Sequence, residues 1–189
     1  MTDKNLNNDH KCVEDREFTY CPWCRAELAT RHIDGKTRKH CPECDFIYYR
    51  NPVPAAGGFI VEDGRVMLVK RKYPPRVGYW SFPAGFMEYG ESPSHCAIRE
   101  VKEETGLDVE VVSSFKVYSG SDDPRTRAIL ILYIVKPVGG EMSPGDDASE
   151  LKYFPLNDLP DNIAFESHVR ALHEYKEYLK TGNLPNPNE

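Results

Sequence analysis

Apolar and polar positions along this chain follow two periods, and the change from one to the other marks its elements. Ala55–Val61 and Val66–Val69 are short, nearly continuous apolar runs separated by Glu62-Asp63-Gly64-Arg65, a pattern that predicts two strands, Ala55–Val61 and Val66–Arg71, joined by a hairpin turn. Tyr73–Gly78 reads as a loop, and Tyr79–Gly85 as a short strand after it. Further strands are expected over Val109–Tyr118, Ala128–Lys136 and Leu151–Pro155. Two stretches carry the helical period instead. One runs from Pro93 to Thr105, with Ala97, Ile98, Val101 and Thr105 on an apolar stripe, Ser92 as N-cap and Gly106 as the left-handed stop. The other spans residues 162–179, with Phe165, Val169, Leu172 and Tyr175 or Leu179 on its buried side. Helices on the faces of a mixed sheet predict an α/β fold of the α/β/α sandwich type.

The first helix carries more than a packing face. At about 100° per residue, Glu100, Glu103 and Glu104 gather within roughly one 100° arc beside the apolar stripe. Like charges at this spacing cost a few tenths of a kcal/mol per pair, so the arrangement gains nothing without a cation. A divalent ion reverses the sign, and an all-carboxylate donor set suits Mg²⁺ or Mn²⁺. Arg99, four residues before Glu103, can hold that carboxylate in place. A surface helix with a solvated acidic face would carry the same charges, but it would not require Gly85, Glu91 and the Arg99-Glu100 pair at their fixed offsets.

Gly85, Glu91, Arg99, Glu100, Glu103, Glu104 and Gly106 together fit the pattern Gly, five residues, Glu, seven residues, Arg-Glu-apolar, one residue, Glu-Glu, one residue, Gly-apolar. On these residues the chain resembles Nudix hydrolases. The resemblance implies an α/β/α sandwich and hydrolysis of a nucleoside diphosphate linked to another moiety, X, to a nucleoside monophosphate and phospho-X. Glu100, Glu103 and Glu104 would hold Mg²⁺ or Mn²⁺. Glu91 and Arg99 would support the loop and the helix, and Gly85 would lie against substrate. The general base would be a box glutamate or a carboxylate of Asp146-Asp147-Ala148-Ser149-Glu150, with Glu150 the first choice. For substrate contact, Tyr48 and Tyr49 offer aromatic faces and Arg71 a cation, with Phe46, Tyr79, Lys70, Arg76 and Arg125 as further candidates.

A second metal site precedes the box. Cys21-Pro22-Trp23-Cys24 and Cys41-Pro42-Glu43-Cys44 are CxxC knuckles whose spacing suits a four-thiolate zinc ribbon, with Asp34-Gly35 as the hairpin turn between them. Four protein ligands leave no open position, so the zinc would be structural. Two disulfides or a thioredoxin-like redox pair compete with this reading; a cytoplasmic chain disfavours the first, and the second lacks the surrounding βαβ pattern. Cys96 reads as a small buried residue, and Cys12 is assigned nothing. The expected organisation is a tail over residues 1–18, a zinc ribbon over 19–50, a Nudix domain over 51–182 and a tail over 183–189.

Zinc ribbons precede the Nudix domain in NADH pyrophosphatases and in relatives that cleave ADP-ribose or FAD. The Ser-Gln-Pro-Trp-type motif of the former is missing from Val117–Arg125, while Pro124 falls near where ADP-ribose-cleaving members have a proline. ADP-ribose or an FAD-like compound is therefore the expected substrate, with NADH or capped RNA as the alternative and a non-catalytic nucleotide sensor as the rival of another class. The net charge of −6 argues against broad attachment to nucleic acid. In residues 21–50, six cations (Arg25, Arg31, Lys36, Arg38, Lys39, Arg50) against four acids (Glu27, Asp34, Glu43, Asp45) leave +2, and four thiolates with one Zn²⁺ subtract two more. A stabilising or dimer-forming role is preferred for that module. No apolar run approaches the ~18 residues of a membrane span, and the N-terminus lacks a signal-peptide core, so the expected location is cytoplasmic.

Overall fold

The computed structural model describes residues 17–123, 126–145 and 147–184. Its contacts divide the chain at Pro52 and Val53 into two compact units, with Thr126 belonging to the first. In the first unit, β1 (Ala29–Ile33), β2 (Lys36–His40) and β3 (Ile47–Tyr48) form an antiparallel sheet in that order. Asp34 and Gly35 turn the hairpin with φ of 51° and 74°, the left-handed pair whose twist matches that of the strands. The apolar core here is small. Cys21, Leu28 and Cys41 are buried, with Ala26, Cys44 and Phe46 packed against them, too little apolar area to hold so short a segment without a further tie.

The second unit is built on a mixed sheet of β4 (Val53–Glu62), β5 (Arg65–Arg71), β8 (Leu107–Gly120), β9 (Ala128–Gly140) and β10 (Ala148–Pro155). Their order is β10-β5-β4-β9-β8, and β4 runs parallel to β9. The β4–β5 hairpin turns at Asp63 and Gly64, at φ of 48° and 71°. Both helices, α1 (Pro93–Thr105) and α2 (Glu166–Thr181), cover this sheet. Neighbouring residues of β4 show that they lie on opposite faces. Ile60 packs with Val101 of α1, whereas the ring of Phe59 stacks 4.7 Å from that of Tyr175 of α2. The result is the expected α/β/α sandwich, and burial on both faces explains why β4 and β5 read as unbroken apolar runs. At Gly58 an added Cβ would stand 2.8 Å from Val135 and 3.0 Å from Val101, so glycine is what lets α1 approach the sheet here. No helix among the described residues is long and apolar enough to cross a membrane.

The structure differs from the sequence expectations in two places that matter for the site. The expected strand at Tyr79–Gly85 is two pieces: β6 (Trp80–Ser81) pairs with β5, and β7 (Ala84–Phe86) pairs with β4. Pro83 has no N–H to continue a ladder, and the Phe82 N–H donates instead to Nδ1 of His168, at 3.1 Å. The chain crosses from one partner strand to the other at this point, which aims Ala84 and Gly85 toward α1.

The second helix also begins later than residue 162. Trp80 donates its N–H to the Asn162 carbonyl and accepts from the Ala164 N–H, at 2.9 and 2.7 Å, which holds residues 162–164 extended. Helical phase starts after Phe165, so the buried stripe is His168, Ala171, Leu172 and Tyr175, while Val169 and Leu179 are half exposed.

His168 is enclosed, and burial pulls its pKa from 6.5 down to about 3. Its Nδ1 accepts from Phe82, so the ring is neutral in the folded chain. The unfolded chain takes up this proton near pH 6.5 and the folded chain only near 3, so stability present above 6.5 is lost as pH falls through that window. The expected loss from His168 is on the order of 2 kcal/mol between about pH 6.5 and 5. Urea unfolding at those two pH values checks it, and His168→Gln should flatten the difference.

Candidate active site and metal centres

Helix α1 carries the site. Ser92 caps it by accepting the His95 N–H at 3.3 Å, and Gly106 ends it at φ 75° with its N–H on the Lys102 carbonyl. Arg99 is the hub of the acidic flank. It grips Glu91 with two donors, Nε to Oε1 at 2.9 Å and a terminal nitrogen to Oε2 at 3.0 Å, and reaches Glu100 at 2.6 Å and Glu103 at 2.9 Å. A further bond to the Phe86 carbonyl at 3.2 Å ties the loop to the helix. These bonds, with the Glu88 N–H on the same carboxylate, hold Glu91 down to about 2.

Glu104 lies deeper. Its Oε2 accepts the Ala84 N–H at 3.3 Å, the donor that the strand switch at Phe82-Pro83 delivers. Burial, and then the charge of Glu100, push Glu104 up to about 8. Burial raises Glu100 as well, against the opposing pull of Arg99. Gly85 sits so close to Glu100 that any Cβ would overlap its carboxylate, which explains a glycine at the first position of the box.

Glu100, Glu103 and Glu104 line an open cleft of about 450 Å³ with Gly145 and Asp147. The donor set is hard oxygen throughout, and two of the carboxylates are penalised by burial as anions, a cost that a divalent cation would remove. A divalent ion held by such donors would keep several of its waters. Arg71 stands beside the cleft at the end of β5, opposite Ala148, and its charge acts on Glu104.

The remaining site residues expected from the sequence fall elsewhere. Glu150 is on β10 with its carboxylate 3.0 Å from Lys70, whereas Asp147, in the same acidic run, faces the cleft. Asp146, Pro124, Arg125 and Cys12 lie outside the described residues. Tyr48 and Tyr49 belong to the first unit, where Tyr48 meets Phe18 edge-on at 4.9 Å and the Arg38 guanidinium covers Tyr49 at 4.7 Å. The Ala84 N–H and the His168 bond behind it escaped the sequence reading, since a backbone donor and a contact across 86 residues leave no local signal.

In the first unit, Cys21, Cys24, Cys41 and Cys44 bring their sulfurs within 4.8 Å of one another. The separations of 3.7, 3.3 and 3.7 Å for Cys21–Cys44, Cys24–Cys41 and Cys24–Cys44 are far beyond a disulfide bond of about 2.05 Å. Each knuckle is folded by its own backbone. The Cys21 carbonyl accepts the Arg25 N–H at 2.9 Å, with Arg25 at φ 67°, and the Cys41 N–H donates to the Phe46 carbonyl at 2.8 Å. Four thiol groups so placed can hold one metal ion.

A mixed sheet between two helices, with a carboxylate cleft along the first helix, is the frame of a Nudix hydrolase. Residues 51–175 match the NUDIX domain family, and the chain belongs to that family. It is 43% identical over 128 residues to an ADP-ribose pyrophosphatase of Methanocaldococcus jannaschii, a match covering 67% of this chain and 75% of that one. It is 27% identical over 162 residues to an NAD-capped RNA hydrolase NudC of Vibrio atlanticus, covering 84% of this chain but only 57% of the relative. Among solved structures, a NUDIX hydrolase from Nitrosomonas europaea superposes with a TM-score of 0.77 at 30% identity, over 88% of this chain and 95% of that one.

Proposed function

We propose that this chain hydrolyses the diphosphate bond of a nucleoside diphosphate linked to another moiety, with ADP-ribose or an FAD-like compound as substrate. The carrying observation is the Glu100–Glu104 pair, half-buried, raised in pKa and open to a cleft it shares with Glu103 and Asp147. The likeness to the ADP-ribose pyrophosphatase of M. jannaschii supports the choice of substrate.

Glu100, Glu103 and Glu104 would hold Mg²⁺ or Mn²⁺, which when bound offset diphosphate charge and lower the pKa of a water. Arg99 keeps Glu100 and Glu103 in register, and through Glu91 it fixes the loop in front of the helix. Water attacks one phosphorus, the bond from that phosphorus to the bridging oxygen breaks, and the bridging oxygen leaves with the other phosphate. We assign the departing water proton to Asp147, which faces the cleft, in preference to Glu150, whose carboxylate is engaged by Lys70. The four cysteines would hold zinc: tetrahedral bonds of ~2.3 Å set sulfur separations of about 3.8 Å, which two of the observed separations, 3.7 and 3.7 Å, approach and the third, 3.3 Å, undershoots. That ion is structural.

NADH or NAD-capped RNA is the second reading, favoured by the NudC relatives, of which this chain spans little more than half. A product screen separates the readings: ADP-ribose, FAD, NADH, dinucleoside polyphosphates and nucleoside triphosphates, each with Mg²⁺ and Mn²⁺. AMP release is expected first from ADP-ribose. Preference for NADH would favour the second reading, and inactivity on the whole panel would leave a nucleotide sensor.

A further inference from the structure

Strands β4 and β5 pair only next to their turn, at Val61–Val66 and Glu62–Arg65, and then part. The segment from Trp80 to Phe86 fills the opening, with Trp80 and Ser81 laddered to β5 and Ala84, Gly85 and Phe86 to β4. Helices α1 and α2 lie on opposite faces of the sheet, which would ordinarily keep them apart. Through this opening both faces reach one stretch of backbone.

Phe82 and Pro83 are the crossing point, and both are buried. Phe82 lies outside both ladders, and a buried N–H requires an acceptor. It finds one on α2, Nδ1 of the buried His168 at 3.1 Å, whose ring also stacks 5.2 Å from that of Phe82. The next peptide unit is held from two further sides. The Pro83 carbonyl accepts the Gly58 N–H at 3.1 Å, and the Ala84 N–H, in the same planar unit, donates to Oε2 of Glu104 at 3.3 Å. A Cβ at Gly57 would overlap both Ala84 and the Pro83 carbonyl, so this unit lies directly against β4.

The torsions around Pro83 therefore set where the Ala84 N–H points. Proline fixes its own φ, Gly58 holds the carbonyl, and His168 holds the residue before. A carboxylate is planar, so a bond at one of its oxygens also orients the other. A series of bonded groups thus runs from His168 through Phe82 and the Pro83–Ala84 peptide to a carboxylate of the cleft. Groups that orient a metal ligand from behind commonly change metal affinity by about 10–100-fold.

We propose that His168 is a positioning residue of the metal site: from the opposite face of the sheet, by accepting the Phe82 N–H, it aims the Ala84 N–H at Glu104 and so sets how well the carboxylates take up a divalent cation. The role rests on reading the cleft as that cation's site. The cation in turn steadies the start of α2, because a coupling between two sites acts in both directions.

Mn²⁺ binding to the full chain with zinc supplied, followed by electron paramagnetic resonance without substrate, tests the role; the ion read is the one that Glu104→Gln releases. His168→Leu, which fills the space but offers no acceptor, is expected to bind Mn²⁺ about tenfold more weakly, the lower end of that range because the bond acts at one remove. His168→Asn places an amide oxygen where Nδ1 stood and should recover most of the loss, although it packs no better than leucine. In wild type, Mg²⁺ should slow hydrogen exchange of the Phe82 and Ala84 amides and of the first turn of α2, a measurement that stands if His168→Leu folds poorly. The proposal is overturned if His168→Leu binds Mn²⁺ normally, if His168→Asn binds it no better than His168→Leu, or if Mg²⁺ leaves those amides unchanged. Wild-type protein that binds no Mn²⁺ at Glu104 would overturn the metal-site reading and this role with it, whereas wild type that binds Mn²⁺ but cleaves no diphosphate would overturn only the proposed function.

Discussion

Glu103→Gln and Glu104→Gln are each expected to lower ADP-ribose turnover by about 10²–10³-fold or more, the range for losing one preorganised electrostatic contact to the reacting group. The two variants should differ in stability. Glu103 is more than half exposed and held by Arg99, so its replacement removes only a surface ion pair of small worth. Glu104 is half-buried and disfavoured as an anion by desolvation and by Glu100. Without metal, Glu104→Gln should therefore melt no lower than wild type, because an amide avoids burying that charge. With Mg²⁺ the order should reverse, since wild type gains binding energy that the variant lacks. Single-turnover kinetics and metal-dependent melting measure both. Near-normal turnover in both variants would remove the metal-site reading, and a large loss of metal-free stability in Glu104→Gln would show that the carboxylate serves packing.

The second large effect is expected in the other unit. Cys41→Ser, or a chelator that takes zinc and spares Mg²⁺, should abolish amide-exchange protection over residues 21–48 while leaving that of β4 and α1 in place. The buried core there amounts to Cys21, Leu28 and Cys41 with a few partly buried neighbours, whereas a structural zinc site has an apparent binding free energy of roughly 10–16 kcal/mol. Ordering of that segment is therefore expected to depend on a bound metal. Hydrogen exchange followed by mass spectrometry reads the loss peptide by peptide. Retained protection after complete zinc removal would mean that the hairpin and its aromatic contacts suffice. ADP-ribose cleavage should persist through the treatment, and chemistry lost with the ribbon still protected would place the zinc in the reaction.

Much of this was legible because its causes are local. Ser92, Pro93 and Gly106 mark the ends of α1 through capping and a left-handed stop, and the helix observed is Pro93–Thr105. Asp34-Gly35 and Asp63-Gly64 mark hairpins because few residues other than these accept positive φ at both turn positions. Spacing along α1 also placed Arg99 beside Glu103, and the structure has them 2.9 Å apart.

What escaped prediction has causes that act at a distance. Helix α2 starts at Glu166 rather than at residue 162 because Trp80 holds residues 162–164 extended by backbone bonds that composition does not encode, while Leu172 and Tyr175 are buried as expected. Asp147 and Glu150 are indistinguishable as members of an acidic run; the pairing of β10 with β5 turns one to the cleft and brings the other to Lys70.

The sequence by itself determined the helix that carries the carboxylates, the turns, the two sets of candidate metal ligands and the family, since each depends on residues a few positions apart. Only the tertiary structure decided which carboxylate shares the cleft, how the switch at Phe82-Pro83 brings the Ala84 N–H to Glu104, and that His168 accepts the Phe82 N–H from the other face of the sheet. Those outcomes depend on strand pairing and on buried contacts between distant segments, where desolvation raises Glu104 and one histidine holds the crossing segment.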